Sequence, residues 1–253
     1  MKIKNSFSNG MKFKIIMMVI IMAVSSSFTN NESQRFVSLF NGRDFDGWIV
    51  PEGDDGGWTI VNGVIDCSAK SQAPGDKNLW SEKEYGDFVL RLDWRITETP
   101  FINHNVTIVR PDGTHQLDEN GEIIRISVPD SDSGVFLRGS SKAQVNIWCW
   151  PVGSGEVYGY RMDRNMPPDV RAGVTPSMFA DNHIGEWNTF EITMLGDRLT
   201  VVLNGHTVLE NAWLPDVPER GRLALQHHGS FVDGEWRGSP SLVQFRNIYI
   251  KEL

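Results

Sequence analysis

The chain has 253 residues, with 24 Lys and Arg against 32 Asp and Glu, a formal net charge of −8 and a pI near 5.3. That balance lacks the basic excess on which phosphate binding rests, and so argues against nucleic acid as a partner. Nine Trp and thirteen Phe supply ample core, and a surplus of Trp suits either a sandwich interior or a sugar-facing groove.

The first feature along the chain is a targeting segment. Lys12 and Lys14 precede the apolar run Ile15 to Val24, and Ala23-Val24-Ser25 is a small-x-small site. Residues 1–28 read as a secretory signal peptide whose apolar run is too short to span a bilayer. A periplasmic or secreted location is expected, with no membrane association beyond the signal. Residues 29–35 read as a polar linker and 36–253 as one domain.

From Phe36 onward the signals are strands and turns, with no convincing helix. Trp58 to Val61 and Val64 to Asp66 flank Asn62-Gly63, a type I′ hairpin sequence. Asp87 to Ile96 alternates, with Phe88, Leu90, Leu92, Trp94 and Ile96 on one face, as a half-buried strand requires. Val106 to Arg110 and Glu122 to Val128 form a hairpin around Pro111-Asp112-Gly113. Ser131 to Trp148 reads as two strands. Pro151 to Pro176 is a long loop of the kind that carries function. Phe190, Ile192 and Met194 alternate again. Asn204-Gly205 turns the chain between Arg198–Leu203 and His206–Leu209, and Leu242 to Leu253 is a last strand. Many short strands without βα alternation predict an all-β sandwich or jelly roll. Cys67 and Cys149 are either two separate thiols or one disulfide, and no spacing groups them with His as a zinc site.

Period-two alternation also sorts the candidate site. If Ala143, Val145 and Ile147 face the core, then Gln144, Asn146 and Trp148 face away. Val135 and Leu137 oppose Gly134, Phe136 and Arg138. Leu223, Leu225 and His227 oppose Arg222, Ala224, Gln226 and His228. Amides, a guanidinium, an imidazole and rings on one face are what a sugar needs, since hydroxyls want planar donors and acceptors and the CH face wants an aromatic. A solvated sheet face is the plain alternative. His228 suits a base or metal ligand, or a hydrogen-bonded His at a strand end.

An ordinary retaining glycosidase needs two carboxyls about 5 Å apart, and no ExDxxE pattern supplies them. Asp130-Ser-Asp132 reads as a turn cap. Glu156, flanked by Tyr158 and Tyr160, is the better catalytic carboxylate. His104, His115, Asp118, Glu119, Glu156, His227 and His228 include enough ligand types for a divalent metal, but no HxH or HExxH spacing joins them, so a metal stays open.

Several phrases together carry a resemblance. They are SLFNGRDFDGW (38–48), GWTIVNGVI (57–65), YGDFVLRLDWR (85–95), DSGVFLRG (132–139), KAQVNIW (142–148), the stretch Ala180 to Gly205, GRLALQHHG (221–229) and VQFRNIYIKEL (243–253). In this order they resemble the 3-keto-disaccharide hydrolase domain family, which has a concanavalin A-like jelly-roll β-sandwich. The resemblance implies exported enzymes that cleave 3-keto-glycosides by hydrolysis or by β-elimination. Asp132 stands where many members carry Asn, Lys142 stands where many carry Glu, and Phe101 to Val128 looks like an insertion.

A C3 ketone acidifies the C2 proton, so one base and a stabiliser for the enolate oxygen suffice. On this reading His228 or Glu156 is the base or a metal ligand. Arg138, Gln144 and Gln226 position the ketone and hydroxyls. Trp148 stacks on the ring, with Asn146 and Tyr158 completing the binding set. A non-catalytic carbohydrate-binding module is the alternative, and an adhesion sandwich a third reading.

Overall fold

Asparagine-glycine turns set the register of two tight hairpins. In a computed structural model that describes residues 35–253, Asn62 and Gly63 have φ of +53° and +78°, and Asn204 and Gly205 +52° and +84°. Two central residues with positive φ define the type I′ turn, whose twist matches that of the flanking strands. Val61 therefore pairs with Val64, and Leu203 with His206. The signal-peptide reading, and all of the linker but Arg35, lie outside the described residues.

The strands are β1 (Val37–Ser38), β2 (Trp48–Ile49), β3 (Trp58–Val61), β4 (Val64–Cys67), β5 (Leu79–Tyr85), β6 (Phe88–Ile96), β7 (Phe101–Thr107), β8 (Arg125–Asp130), β9 (Asp132–Leu137) and β10 (Ser140–Trp148). Two short helices follow, α1 (Tyr158–Arg161) and α2 (Pro168–Gly173). Then come β11 (Asn188–Leu195), β12 (Arg198–Leu203), β13 (His206–Trp213), β14 (Gly221–Leu225), β15 (Ser230–Val232), β16 (Glu235–Arg237) and β17 (Val243–Glu252). The helices correct the expectation of an uninterrupted loop over Pro151–Pro176. Their buried anchors are Tyr160 and Val170, whose side chains join the core.

Pairing is antiparallel throughout the two main sheets. One runs β13-β12-β11-β6-β17-β4-β3, with β1 added on β17, and the other runs β10-β9-β14-β5-β2. They form a jelly-roll β-sandwich. From the larger sheet, β6 and β11 send in Phe88, Leu90, Leu92, Trp94, Phe190, Ile192 and Met194. From the smaller, β9, β10 and β14 send in Val135, Leu137, Val145, Ile147, Leu223 and Leu225. Each such side chain contributes about 1.5–3 kcal/mol on burial. The alternation read from the sequence holds on these strands.

Two ribbons stand off the sandwich. β7 and β8 pair only with each other, as do β15 and β16. The ribbon of β7 and β8 is the segment that looked like an insertion. Its far end carries two turns rather than one, closed by the bridges Val109–His115 and Leu117–Ile123. Cys67 and Cys149 are free thiols. Among the described residues, no helix is long and apolar enough to cross a membrane.

Candidate active site

The outer face of the smaller sheet is organised in rows across β10, β9 and β14. Gln144 pairs with Phe136, and Phe136 with Ala224. Asn146 pairs with Gly134, and the Gln226 amide donates to the Gly134 carbonyl. Trp148 pairs with Asp132, and the same register carried one step further sets His228 opposite Asp132. The floor thus reads Gln144–Phe136–Ala224, then Asn146–Gly134–Gln226, then Trp148–Asp132–His228. Above it lies a groove of about 450 Å³, walled by Phe101, Asn103 and Asn105 of β7, by Trp150 and Tyr158, and by Gly238 and Ser239. Gln144, Asn146, Trp148, Tyr158, Gln226 and His228, expected from the sequence, all line it.

Four polar groups on this floor keep unused hydrogen-bonding capacity. Asn146 is 3% exposed, yet its carboxamide has no partner among the described residues. Gln144 Nε2 donates to Gln226 Oε1 at 2.5 Å, which fixes the Gln226 amide and leaves its NH₂ unused. His228 is held by Nδ1, 2.7 Å from the Ser239 carbonyl, and by its main chain, which donates to Ser241 Oγ. A carbonyl only accepts, so Nδ1 carries the proton and Nε2 stays available.

The fourth is Asp132. Its main chain is bonded to Pro240 and Ser241, but its carboxyl has no hydrogen-bond donor among the described residues. His228 Nδ1 lies 3.9 Å from Oδ2. Burial pushes the Asp132 carboxyl up to about 7, against the pull of His228 and with the help of Asp130. A carboxyl without donors and with a raised pKa has the profile of a base. The expectation that Asp130-Ser-Asp132 caps a turn is therefore corrected, because Asp132 begins β9 and faces the groove.

Asp130 has the opposite character. It is fully buried and accepts from Asn103, Ser239, Trp150 Nε1 and the Cys149 amide. It ties the β7–β8 ribbon, the aromatic wall and the Ser239 loop together behind the site.

Three expected roles are not supported by the geometry. Arg138 leaves the groove because β9 ends at Leu137. Arg138 and Gly139 have φ of +50° and +73° and form the turn into β10, so the alternation stops one residue too early. The guanidinium is buried and donates to the carbonyls of Gly86, Gly196 and Pro218 and to Asp87 Oδ1. Glu156 is fully buried and ion-paired with Arg161, out of reach of the groove. Trp148 is 4% exposed beneath Trp150, the two rings stacked 4.3 Å apart at 3°, so Trp150 takes the place expected for Trp148. Tyr158 meets both rings edge-on.

The suggested metal ligands do not converge either. Among the described residues, no three His, Cys, Asp or Glu side chains come together as a metal site. His104 bonds Ser127, and Asp118 caps the turn to Glu122. His227 lies on the inner side of β14's extension, where burial lowers its pKa to about 4.

The model of the 3-keto-alpha-glucoside-1,2-lyase-like domain matches residues 35–251. A candidate glycosyl hydrolase from Parabacteroides distasonis ATCC 8503 superposes with a TM-score of 0.52 at 19% identity, over 87% of this chain and 95% of that one. Another structure of that description, from the same strain, gives 0.51 at 19% identity over 87% and 100%. These likenesses bear on the fold. No curated protein sequence matches the chain.

Proposed function

This chain belongs to the 3-keto-alpha-glucoside-1,2-lyase-like domain family, and on that premise we propose that it is an exported carbohydrate-active enzyme cleaving glycosides oxidised to a ketone at C3. The observation that carries the reading is Asp132, a carboxyl without a hydrogen-bond donor among the described residues and raised to about 7, on the floor of a groove where the Asn146 carboxamide and the Gln226 NH₂ are left unused. Ordinary glycosidase chemistry calls for a pair of cooperating carboxyls. Here the second nearby carboxylate, Asp130, is saturated with donors and buried.

One base suits a 3-keto substrate. Asp132 takes the C2 proton, and the C–H electron pair becomes an enolate whose oxygen accepts hydrogen bonds from Asn146 and Gln226. The pair then forms a C1=C2 double bond as the C1–O bond breaks and the C3 ketone returns. The leaving oxygen takes a proton from His228 Nε2 when the imidazole is charged. Water adding across C1=C2 completes a net hydrolysis, and release before that step makes the reaction an elimination. Trp150 and Tyr158 cover the apolar face of the sugar.

The test is aglycone release from a chromogenic 3-keto-glucoside, with the parent glucoside as control. Turnover of the keto form alone, lost in Asp132→Asn, supports the reading. Equal turnover of both substrates, turnover of neither, or full activity in Asp132→Asn overturns it.

A further inference from the structure

Glu156 is a fully buried acidic group that this chemistry leaves unused. Its main chain is part of the site's scaffold: the Asn146 amide donates to the Glu156 carbonyl at 3.0 Å, and the Gly155 amide to the Asn146 carbonyl at 2.8 Å. The segment thus runs along β10 beside a groove residue, with the Glu156 side chain directed into the protein. There the carboxylate holds Arg161, the last residue of α1, and both side chains are buried. The Arg161 guanidinium lies 5.3 Å from the centre of the Tyr158 ring, within cation–π range. Tyr158, the first residue of α1, stands edge-on to Trp148 and Trp150 and forms part of the groove wall.

We propose that Glu156 is a positioning residue: through Arg161 it fixes the Tyr158 ring as the aromatic wall against which the sugar packs. The inference rests on the sugar-binding part of the preceding reading. Its physical basis is the cost of a buried charge without its partner. Arg161 has one carboxylate, one Met162 sulfur contact and an Nη2 without a partner. Without the carboxylate, the guanidinium must move toward water or polar groups. Tyr158, in contact with it and 38% exposed, moves with it.

The test compares Glu156→Gln, Tyr158→Ala and the apolar double variant Glu156→Met/Arg161→Met. Two readouts are used: kcat and KM on the 3-keto-glucoside, and the near-ultraviolet circular dichroism of the Trp148–Trp150–Tyr158 cluster. Glu156→Gln should raise KM about tenfold with kcat nearly unchanged, the equivalent of losing one aromatic contact. Its spectrum should shift toward that of Tyr158→Ala. The double variant should fold, because no buried charge is left unpaired, yet with Arg161 gone the ring has lost its support, so KM and spectrum should shift as in the single variant. A fall in kcat at constant KM would make Glu156 a chemical participant, against the proposal. An unchanged KM and spectrum in Glu156→Gln, or a native KM and spectrum in the double variant, would also overturn it. If Glu156→Gln does not fold, the double variant decides by itself: a raised KM and a spectrum shifted toward that of Tyr158→Ala support the proposal, and a native KM and spectrum refute it. If the native protein turns over no 3-keto-glycoside, the preceding reading fails, while the spectra still decide whether Glu156 holds the wall.

Discussion

Gln144 reaches Gln226 by lying across Gly134. Its Nε2 is 2.5 Å from Gln226 Oε1 and 3.2 Å from the Ser133 carbonyl. A Cβ on Gly134 would sit 2.8 Å from Gln144 Cγ and 2.7 Å from the Val145 carbonyl oxygen. The second contact is backbone, so a side-chain shift does not relieve it. Gly134→Ala should therefore destabilise the fold by about 1–3 kcal/mol, as overpacking does. It should also break the amide bridge that orients Gln226. Urea unfolding gives the first effect, and a rise in KM for the 3-keto-glucoside the second. Native stability and native KM together would show that the bridge is not held this way.

Arg138 is a support of the fold outside the groove lining. Its guanidinium joins three carbonyls and Asp87, and Asp87 Oδ1 also accepts from the Gly196 amide. Arg138→Met leaves these partly exposed acceptors short of a donor and removes a buried side chain's packing, which together cost about 1–3 kcal/mol. The expected outcome is a large fall in the urea midpoint with kcat/KM of the folded fraction unchanged. Lost turnover at native stability would return Arg138 to the active site.

What the sequence made legible follows from period-two alternation. Gln144, Asn146, Gln226 and His228 share one groove because β10, and β14 with its extension, keep strict alternation to the residues concerned. Arg138 was misplaced where alternation ends, at a turn whose positive φ values fall on a non-glycine residue. Trp148 was placed on the right face, but nothing in the pattern says that Trp150, two residues beyond the end of β10, folds over it. Asp132 was hidden by its surroundings, since a Ser- and Asp-rich stretch has the composition of a turn while its two carboxylates have opposite fates. The contribution of Phe101, Asn103 and Asn105 was not readable at all. It depends on where the β7–β8 ribbon docks, and that is decided by Asp130 and Ser239.

Acidic groups with raised pKa values tie stability to pH. Asp132 moves from 3.8 to about 7, chiefly by burial. A pKa raised on folding means that the native state binds the proton more tightly than the unfolded chain. The stability from this group is then fully present below about pH 4 and is lost as pH rises through about 7. Each unit of difference corresponds to about 1.4 kcal/mol. Urea unfolding should show the native protein losing stability between pH 5 and pH 8. Asp132→Asn should lose less, gaining on the order of 2 kcal/mol over the native protein at pH 8. A variant with the native pH slope would mean that Asp132 is ionised without penalty.

The same carboxyl must be ionised to act, so activity and stability should run in opposite directions with pH. kcat/KM should rise as Asp132 loses its proton through about pH 7. Asp132→Asn should remove that limb and lower kcat by about 10²–10⁴. His228 acts at the other end of the bond, where the need for a proton depends on the leaving group. A nitrophenolate departs without one, whereas a sugar alkoxide does not. His228→Ala should therefore cost little on a nitrophenyl 3-keto-glucoside and about a hundredfold on a 3-keto-disaccharide. Equal losses on both substrates would assign His228 to holding Asp132, whose Oδ2 lies 3.9 Å from Nδ1, and would leave the leaving oxygen to be protonated by Asp132 itself.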